Sequence, residues 1–339
     1  MNKLSTTKEF SWKKFFFRWE WCVFALLIII NIINANLSPK YLNINNLITV
    51  TRSFLDKSFI LFPMTMVLLM GEIDISVASI VALSSSIMAV SYQWAGIPMG
   101  IAMVLCLVVA TLCGFLNGLL LTTFPELPPM IITYFGQLLY RGIAEYMLAG
   151  EALSDYPKWF RFLGWDSVLG LPVMLWAFAI CCVLFYFIIE RSNFGRKLYA
   201  IGSNRTASKY AGVDVQGIRR IVFTLNGFMS GVTALFLTSR TTSTRSDMAA
   251  GYELDVIAMI VLGGVSSAGG KGHLIGPIIS VFIIGLLRYG LGLANVNSQY
   301  LVSIIGALLI ISALIPNLLE KNAKRKRKLV EDKTAEAEA

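Results

Sequence analysis

The chain is punctuated by apolar runs, most of them close to the length at which a helix can cross a bilayer and nearly free of charge. A spanning helix needs about 20 mostly apolar residues. In hydrocarbon each backbone N–H and C=O must find its partner inside the protein, which leaves helices and closed barrels as the spanning forms. Ten segments fit the helical form: 19–35, 53–70, 75–92, 97–121, 128–148, 171–189, 219–239, 253–265, 274–292 and 299–316. The expected fold is therefore all-α, a polytopic membrane bundle of about ten transmembrane helices. Composition agrees. Only 14% of the 339 residues are charged, against about 25% in an ordinary soluble domain, so the outer surface as well as the core must be apolar.

Basic residues choose the side. Under a ten-helix path, 20 of the 29 Lys and Arg fall on one face: five before residue 19, seven between Arg191 and Arg220, Lys271, and seven beyond residue 320. Cytoplasmic loops of membrane proteins carry this excess, so the net charge of +9 points to topology and an anionic lipid surface, with no nucleic acid implied. The expected organisation is a cytoplasmic tail at 1–18, a membrane domain at 19–318 with a cytoplasmic loop at 191–218, and a charged, disordered tail at 319–339. Lys13, Lys14 and Arg18 precede an apolar run as in a secretory signal. That run continues into Asn31, Asn34 and Asn36 without a small-x-small cleavage site, and reads as the first span. Cys22, Cys106, Cys113, Cys181 and Cys182 all lie in or beside apolar runs and read as small buried hydrophobes. With one histidine and no CxxC pattern, neither a disulfide framework nor a metal site is expected.

Two spans look interrupted. The eighth run is short and begins with Glu253 and Asp255; it either extends back through Met248 or breaks at Gly251. A second break lies at 71–76, where Glu72 and Asp74 repeat the Glu-x-Asp spacing on the opposite face. Two readings stand: an inverted repeat of helices 2–5 and 7–10, a transporter feature, or two unrelated helix N-caps by Asp74 and Asp255. Gly114 with Gly118 and Gly227 with Gly231 are small-xxx-small pairs, which let helix backbones approach.

Catalytic chemistry is hard to find. The stretch 263–273 invites a phosphate-loop reading, but that motif needs glycine six residues before its lysine and Ser or Thr after it. Val265 and Gly272 occupy those positions, so the stretch reads as a tight turn, His273 included, and the chain is not expected to hydrolyse ATP. Arg141 and Glu145 are spaced to pair along one helix face, and Arg288 lies near a helix end. Polar residues inside spans should face the bundle axis, because an unpaired polar group in lipid is costly. Asn117, Thr133, Tyr134, Gln137, Thr224 and Asn226 are the candidates for a substrate pathway, with helix–helix hydrogen bonding as the plainer role for each.

The loop 191–220 is long, basic and far from disordered in composition. Asn204 suits an N-cap, Arg205 to Tyr210 a short helix, and Gly212 its stop. Such a helix must dock on something, a partner protein or anionic lipid. Three stretches, GEIDISVASIVALS (71–84), NFGRKLYAIGSNRTASKYAGVDV (193–215) and GYELDVIAMIVLGGVSSAGGKGHLIGP (251–277), with the echoes GFLNG (114–118) and the Arg141-Gly142 step, carry a resemblance. The chain resembles the permease subunits of bacterial ABC sugar importers of the ribose, rhamnose and autoinducer-2 group, departing from the usual double glycine by Glu72. The stretches 241–247 and 287–290 look closer to the rhamnose and autoinducer-2 members. The resemblance implies a site in the cytoplasmic (inner) membrane, a second permease chain (a copy or a paralogue), and a periplasmic or lipid-anchored sugar-binding protein. It implies two ATPase subunits that use ATP and magnesium, with no cofactor bound by this chain. It further implies that Asn204, Arg205, Ala207, Lys209, Tyr210, Ala211 and Gly212 dock on the ATPase, with Arg196, Tyr199 and Val213 (and Val215) nearby. An ion-coupled secondary transporter, or an enzyme acting on lipid, are the rivals. The first would want carboxylates paired across the bundle, the second a convergent nucleophile, base or metal set.

Overall fold

The computed structural model describes residues 19–297 together with 300, 303, 304, 306, 307 and 310. The chain runs through helices α1 (Trp19–Leu37), α2 (Ile44–Thr51), α3 (Ser58–Leu69), α4 (Val77–Gln93), α5 (Met99–Thr123) and α6 (Pro129–Leu148). A short 3-10 turn (Lys158–Arg161) leads to α7 (Phe162–Trp165) and a two-stranded hairpin, β1 (Ser167–Val168) against β2 (Leu171–Pro172). Helix α8 (Val173–Tyr186) ends in a π turn (Phe187–Arg191); then come α9 (Asn193–Ser203), α10 (Arg205–Tyr210), α11 (Val215–Thr241), α12 (Tyr252–Leu262) and α13 (Ile275–Leu293). Helices thus stand at nine of the ten apolar runs, and the tenth lies outside the continuously described residues. Five are long and apolar enough to cross a membrane: α1, α5, α8 with its π turn, α11 and α13.

Burial sorts the helices into an inner and an outer set. Every residue of α3 is buried, as are most of α4, α11 and α12. Among the exposed side chains of α5 are Ile101, Val104, Val108, Leu112, Phe115 and Leu119. Their spacing of three or four residues traces one apolar stripe along the helix, and an apolar stripe with no protein over it suits lipid. Close packing in the middle depends on glycine. A Cβ at Gly114 would stand 2.8 Å from Gly227 Cα, so α5 and α11 touch backbone to backbone. Stacked rings, such as Phe59 on Phe236 at 4.7 Å between centroids, fill the wider gaps around α3.

Loop contacts fall into two layers. In one, Arg52 donates to Ser167 Oγ at 2.7 Å, Leu153 bridges to Thr244, and Arg240 holds Asp56. In the other, Gly270 N donates to Leu69 O at 2.8 Å, Tyr199 donates to Gly272 O at 2.9 Å, and Trp19 Nε1 donates to Leu262 O at 3.0 Å. Following the chain, successive described spans alternate between the layers. The basic loop 191–220 belongs to the second, which the positive-inside rule assigns to the cytoplasm.

Two of the inner helices, α3 and α12, are short because the chain breaks beside them. At about 1.5 Å per residue, the 12 residues of α3 and the 11 of α12 cover little more than half of a hydrocarbon core about 30 Å thick. The break before α12 falls at Gly251, whose φ of +85° is open to glycine and strained for other residues. The N-cap reading of the two carboxylates fails here. Gly251 is the residue before α12 and Asp255 sits inside its first turn, while Ser76 precedes α4 and Asp74 folds onto it as an Asx turn.

Candidate functional site

Three groups of residues stand out, one in each layer and one between them. The group in the layer of the basic loop is built on α9 and α10. Ser192 caps α9 by accepting from Gly195 N at 3.1 Å, and Asn204 caps α10 by accepting from Ala207 N at 2.9 Å. Gly212, at φ +79°, turns the chain into α11. The short helix so formed carries Arg205, Ala207, Lys209 and Tyr210 on its exposed side, with Ala211 and Gly212 just beyond it. Tyr210, at 89% exposure, rims a groove of about 570 Å³ shared with Thr206, Lys209, Val213 and Val215. Exposed apolar and aromatic surface beside basic residues marks a contact surface. Arg196 is exposed as well, bonded to Asn193. Tyr199 instead faces inward, where burial pushes its phenol pKa up and its hydroxyl donates to Gly272 O. Helix α9 itself escaped the sequence reading, although Ser192 at its cap and the apolar residues Phe194, Leu198 and Ile201 were a usable signal.

Between the layers lies a buried polar network. Asp74 Oδ1 accepts from Ser76 N at 2.9 Å and Ser76 Oγ at 2.6 Å, and its Oδ2 accepts from Asn226 Nδ2 at 2.8 Å. Asn117 Nδ2 donates to Ser76 Oγ at 2.8 Å, and the Tyr140 hydroxyl donates to Asn117 Oδ1 at 2.9 Å. Thr133 closes the set by accepting from Ile75 N at 3.3 Å. Side chains from α5, α6 and α11 thus converge on the irregular segment 71–76. Non-helical backbone at membrane depth is tolerated where protein satisfies it in this way.

The outer group is ionic. Asp56 Oδ2 accepts from Arg240 at 2.8 and 3.1 Å and from the Tyr252 hydroxyl at 3.2 Å. Asp255 pairs with both Lys57 and Arg288, the latter at 2.8 Å. Arg141 donates to the carbonyls of Ser246 and Met248, contacts that the expected helix-face pairing with Glu145 did not include. These ion pairs join α3, α11, α12 and α13 at one end of the bundle. Asp56, Lys57 and Arg240 went unnoticed in the sequence because their partners lie 184 to 198 residues away.

The six pathway candidates separate by environment. Asn117, Thr133 and Asn226 are buried in the polar network. Gln137 is half-buried, with Nε2 3.5 Å from Glu253 Oε1, and Tyr134 is exposed on α6. Thr224 satisfies its hydroxyl on Arg220 O at 2.7 Å and borders a shallow apolar groove with Phe115 and Phe228. His273, expected in a turn, lies in the irregular link before α13, 3.2 Å from Glu190 Oε2.

A lipid-faced helical bundle with broken inner helices, a polar interior and one ordered basic loop is the build of a multi-pass membrane permease. The family model described as "Branched-chain amino acid transport system / permease component" matches residues 46–313, and the chain belongs to that family. It is 34% identical over 301 residues to the autoinducer 2 import system permease protein LsrD of Yersinia enterocolitica, covering 86% of this chain and 90% of that protein. The LsrD proteins of Escherichia coli and Shigella flexneri are also 34% identical over 300 residues, with the same coverage. No solved structure matches the chain.

Proposed function

We infer that this chain is the membrane permease of an ATP-driven, binding-protein-dependent importer in the bacterial inner membrane, and that its cargo is a sugar-like molecule of the autoinducer-2, rhamnose or ribose type. The observation that carries this reading is the match to autoinducer 2 import permeases across 86% of the chain. In this reading the chain adopts ten helices with an inverted repeat of helices 2–5 and 7–10. It pairs with a second permease, receives cargo from a binding protein, and relies on separate ATPase subunits, since no phosphate loop is legible in its sequence. The exposed face of α10, with Arg196, Tyr199 and Val213 nearby, is the ATPase contact. Asn117, Thr133, Tyr134, Gln137, Thr224 and Asn226 line or brace the pathway.

The family description names branched-chain amino acids, so cargo is the point to test. Vesicles carrying the permease with a candidate ATPase and binding protein are supplied with labelled autoinducer 2, rhamnose, ribose and leucine. The expected result is ATP-dependent uptake of one of the first three. Uptake of leucine alone would overturn the sugar reading, and uptake driven by an ion gradient without ATPase would overturn the importer class.

A further inference from the structure

The segment 69–76 is gripped from two sides. On the cytoplasmic side, Gly270 N donates to Leu69 O at 2.8 Å, and Gly202 of α9 presses on that same carbonyl so closely that a Cβ there has no room. On the inner side, Asp74, Ser76 and the backbone of Ile75 are bonded to Asn226, Asn117 and Thr133. Glu72 sits between the two grips. Its side chain is 3% exposed, yet it meets two cations from different elements. Arg219 Nε, in α11, stands 2.6 Å from Glu72 Oε1, and Arg219 Nη1 donates to Leu121 O at the end of α5 at 2.8 Å. Arg205, the first residue of α10, donates to the same carboxylate oxygen at 3.0 Å. Its side chain is 47% exposed, so it spans from the contact face to the buried acid.

We propose that Glu72 is a positioning residue of the transport cycle, linking movement of α10 to the broken α3–α4 segment through Arg205 and thence to the polar network at Asp74. This rests on the reading of α10 as the ATPase contact. A buried carboxylate parts from its cations at high cost. A shift of α10 therefore draws Glu72 with it, and the backbone from 71 to 76 follows. Asp74, two residues along, moves against Asn226 or carries it.

The test uses the full complex in vesicles and a double-mutant cycle of Arg205→Gln, Glu72→Gln and both. Arg205→Gln leaves the buried Glu72–Arg219 pair whole, so it decides the matter even if Glu72→Gln fails to fold. The readouts are cargo imported per ATP hydrolysed, with the cargo found in the panel above, the amount of ATPase co-purified, and the melting temperature. The expected result for Arg205→Gln is a fall in cargo per ATP of about threefold to tenfold, the range of coupling changes inside such networks, with hydrolysis outlasting transport. The double variant falls no further than the larger single effect, as for residues acting through one contact. An unchanged ratio, or falls that multiply in the double variant, overturns the proposal. So does a lower melting temperature at constant ratio, the mark of a purely structural pair, and so does release of the ATPase by Arg205→Gln, which would leave Arg205 acting through the docking face alone and not through Glu72. The docking reading fails separately, if Ala207→Glu still retains the ATPase.

Discussion

Asn226 shows how much a single interior side chain can do in this fold. Its amide satisfies Asp74 Oδ2 at 2.8 Å, with both residues fully buried. Interhelical hydrogen bonds in membranes average about 0.6 kcal/mol, but a buried acceptor left without its donor costs about 1–3 kcal/mol. The second figure governs here because the acceptor is a carboxyl oxygen. Asn226→Ala is therefore expected to lower stability by about 1–3 kcal/mol, read as a drop in the melting temperature of the detergent-solubilised protein. An unchanged melting temperature would mean the network braces nothing. A cysteine at Gln137, which is half-buried at the rim, is expected to react with a water-soluble thiol reagent in a background lacking the five native cysteines, whereas a cysteine at Asn117 is not. Equal protection of both would remove Gln137 from a water-filled pathway. That these residues were polar and inside spans was plain from the sequence. Which of them bond to one another was not, since Asn117 to Ser76 and Asn226 to Asp74 span 41 and 152 residues.

Among the elements, α10 was the most legible and α9 the least. The N-cap at Asn204, the run from Arg205 to Tyr210 and the stop at Gly212 are local signals, and each is met in the structure. Six residues cannot hold a helix by propensity alone, so α10 depends on its caps and on Arg205 reaching Glu72. Its outward side remains free to meet a partner. Ala207 and Ala211 are exposed there, and a charge buried unpaired in a contact costs several kcal/mol. Ala207→Glu or Ala211→Glu is expected to cut ATPase co-purification at least tenfold while the permease keeps its melting temperature. Loss of membrane association with the ATPase still bound would mark α10 as a lipid-surface helix instead. The breaks that end α3 and open α12 were visible as Gly71 and Gly251 beside charged residues, but the apolar run alone could not say where α12 began.

At the scale of the whole molecule, the alternation of loops between two layers organises everything else. It puts Glu72 and the basic loop at one end of α3 and Lys57, Tyr252 and Asp255 at the other. Reporter fusions within 154–165 and after Lys328 are expected to report opposite sides of the membrane; a shared side would undo the topology. The same arrangement gives the bundle two ionic ends with the Asp74 polar network between them. One end is tied to the basic loop, and the opposite end joins α3, α11, α12 and α13 through Asp56 and Asp255.

The membrane-spanning class and the short helix α10 were legible in the sequence, because hydrophobic length and helix caps are local or additive properties that need no knowledge of neighbours. The tertiary structure alone decided which polar residues form the Asp74 network, that Arg219 and Arg205 share Glu72, and that Gly114 meets Gly227. Those are pairings between distant segments, and a pairing exists only once the helices have chosen their packed faces.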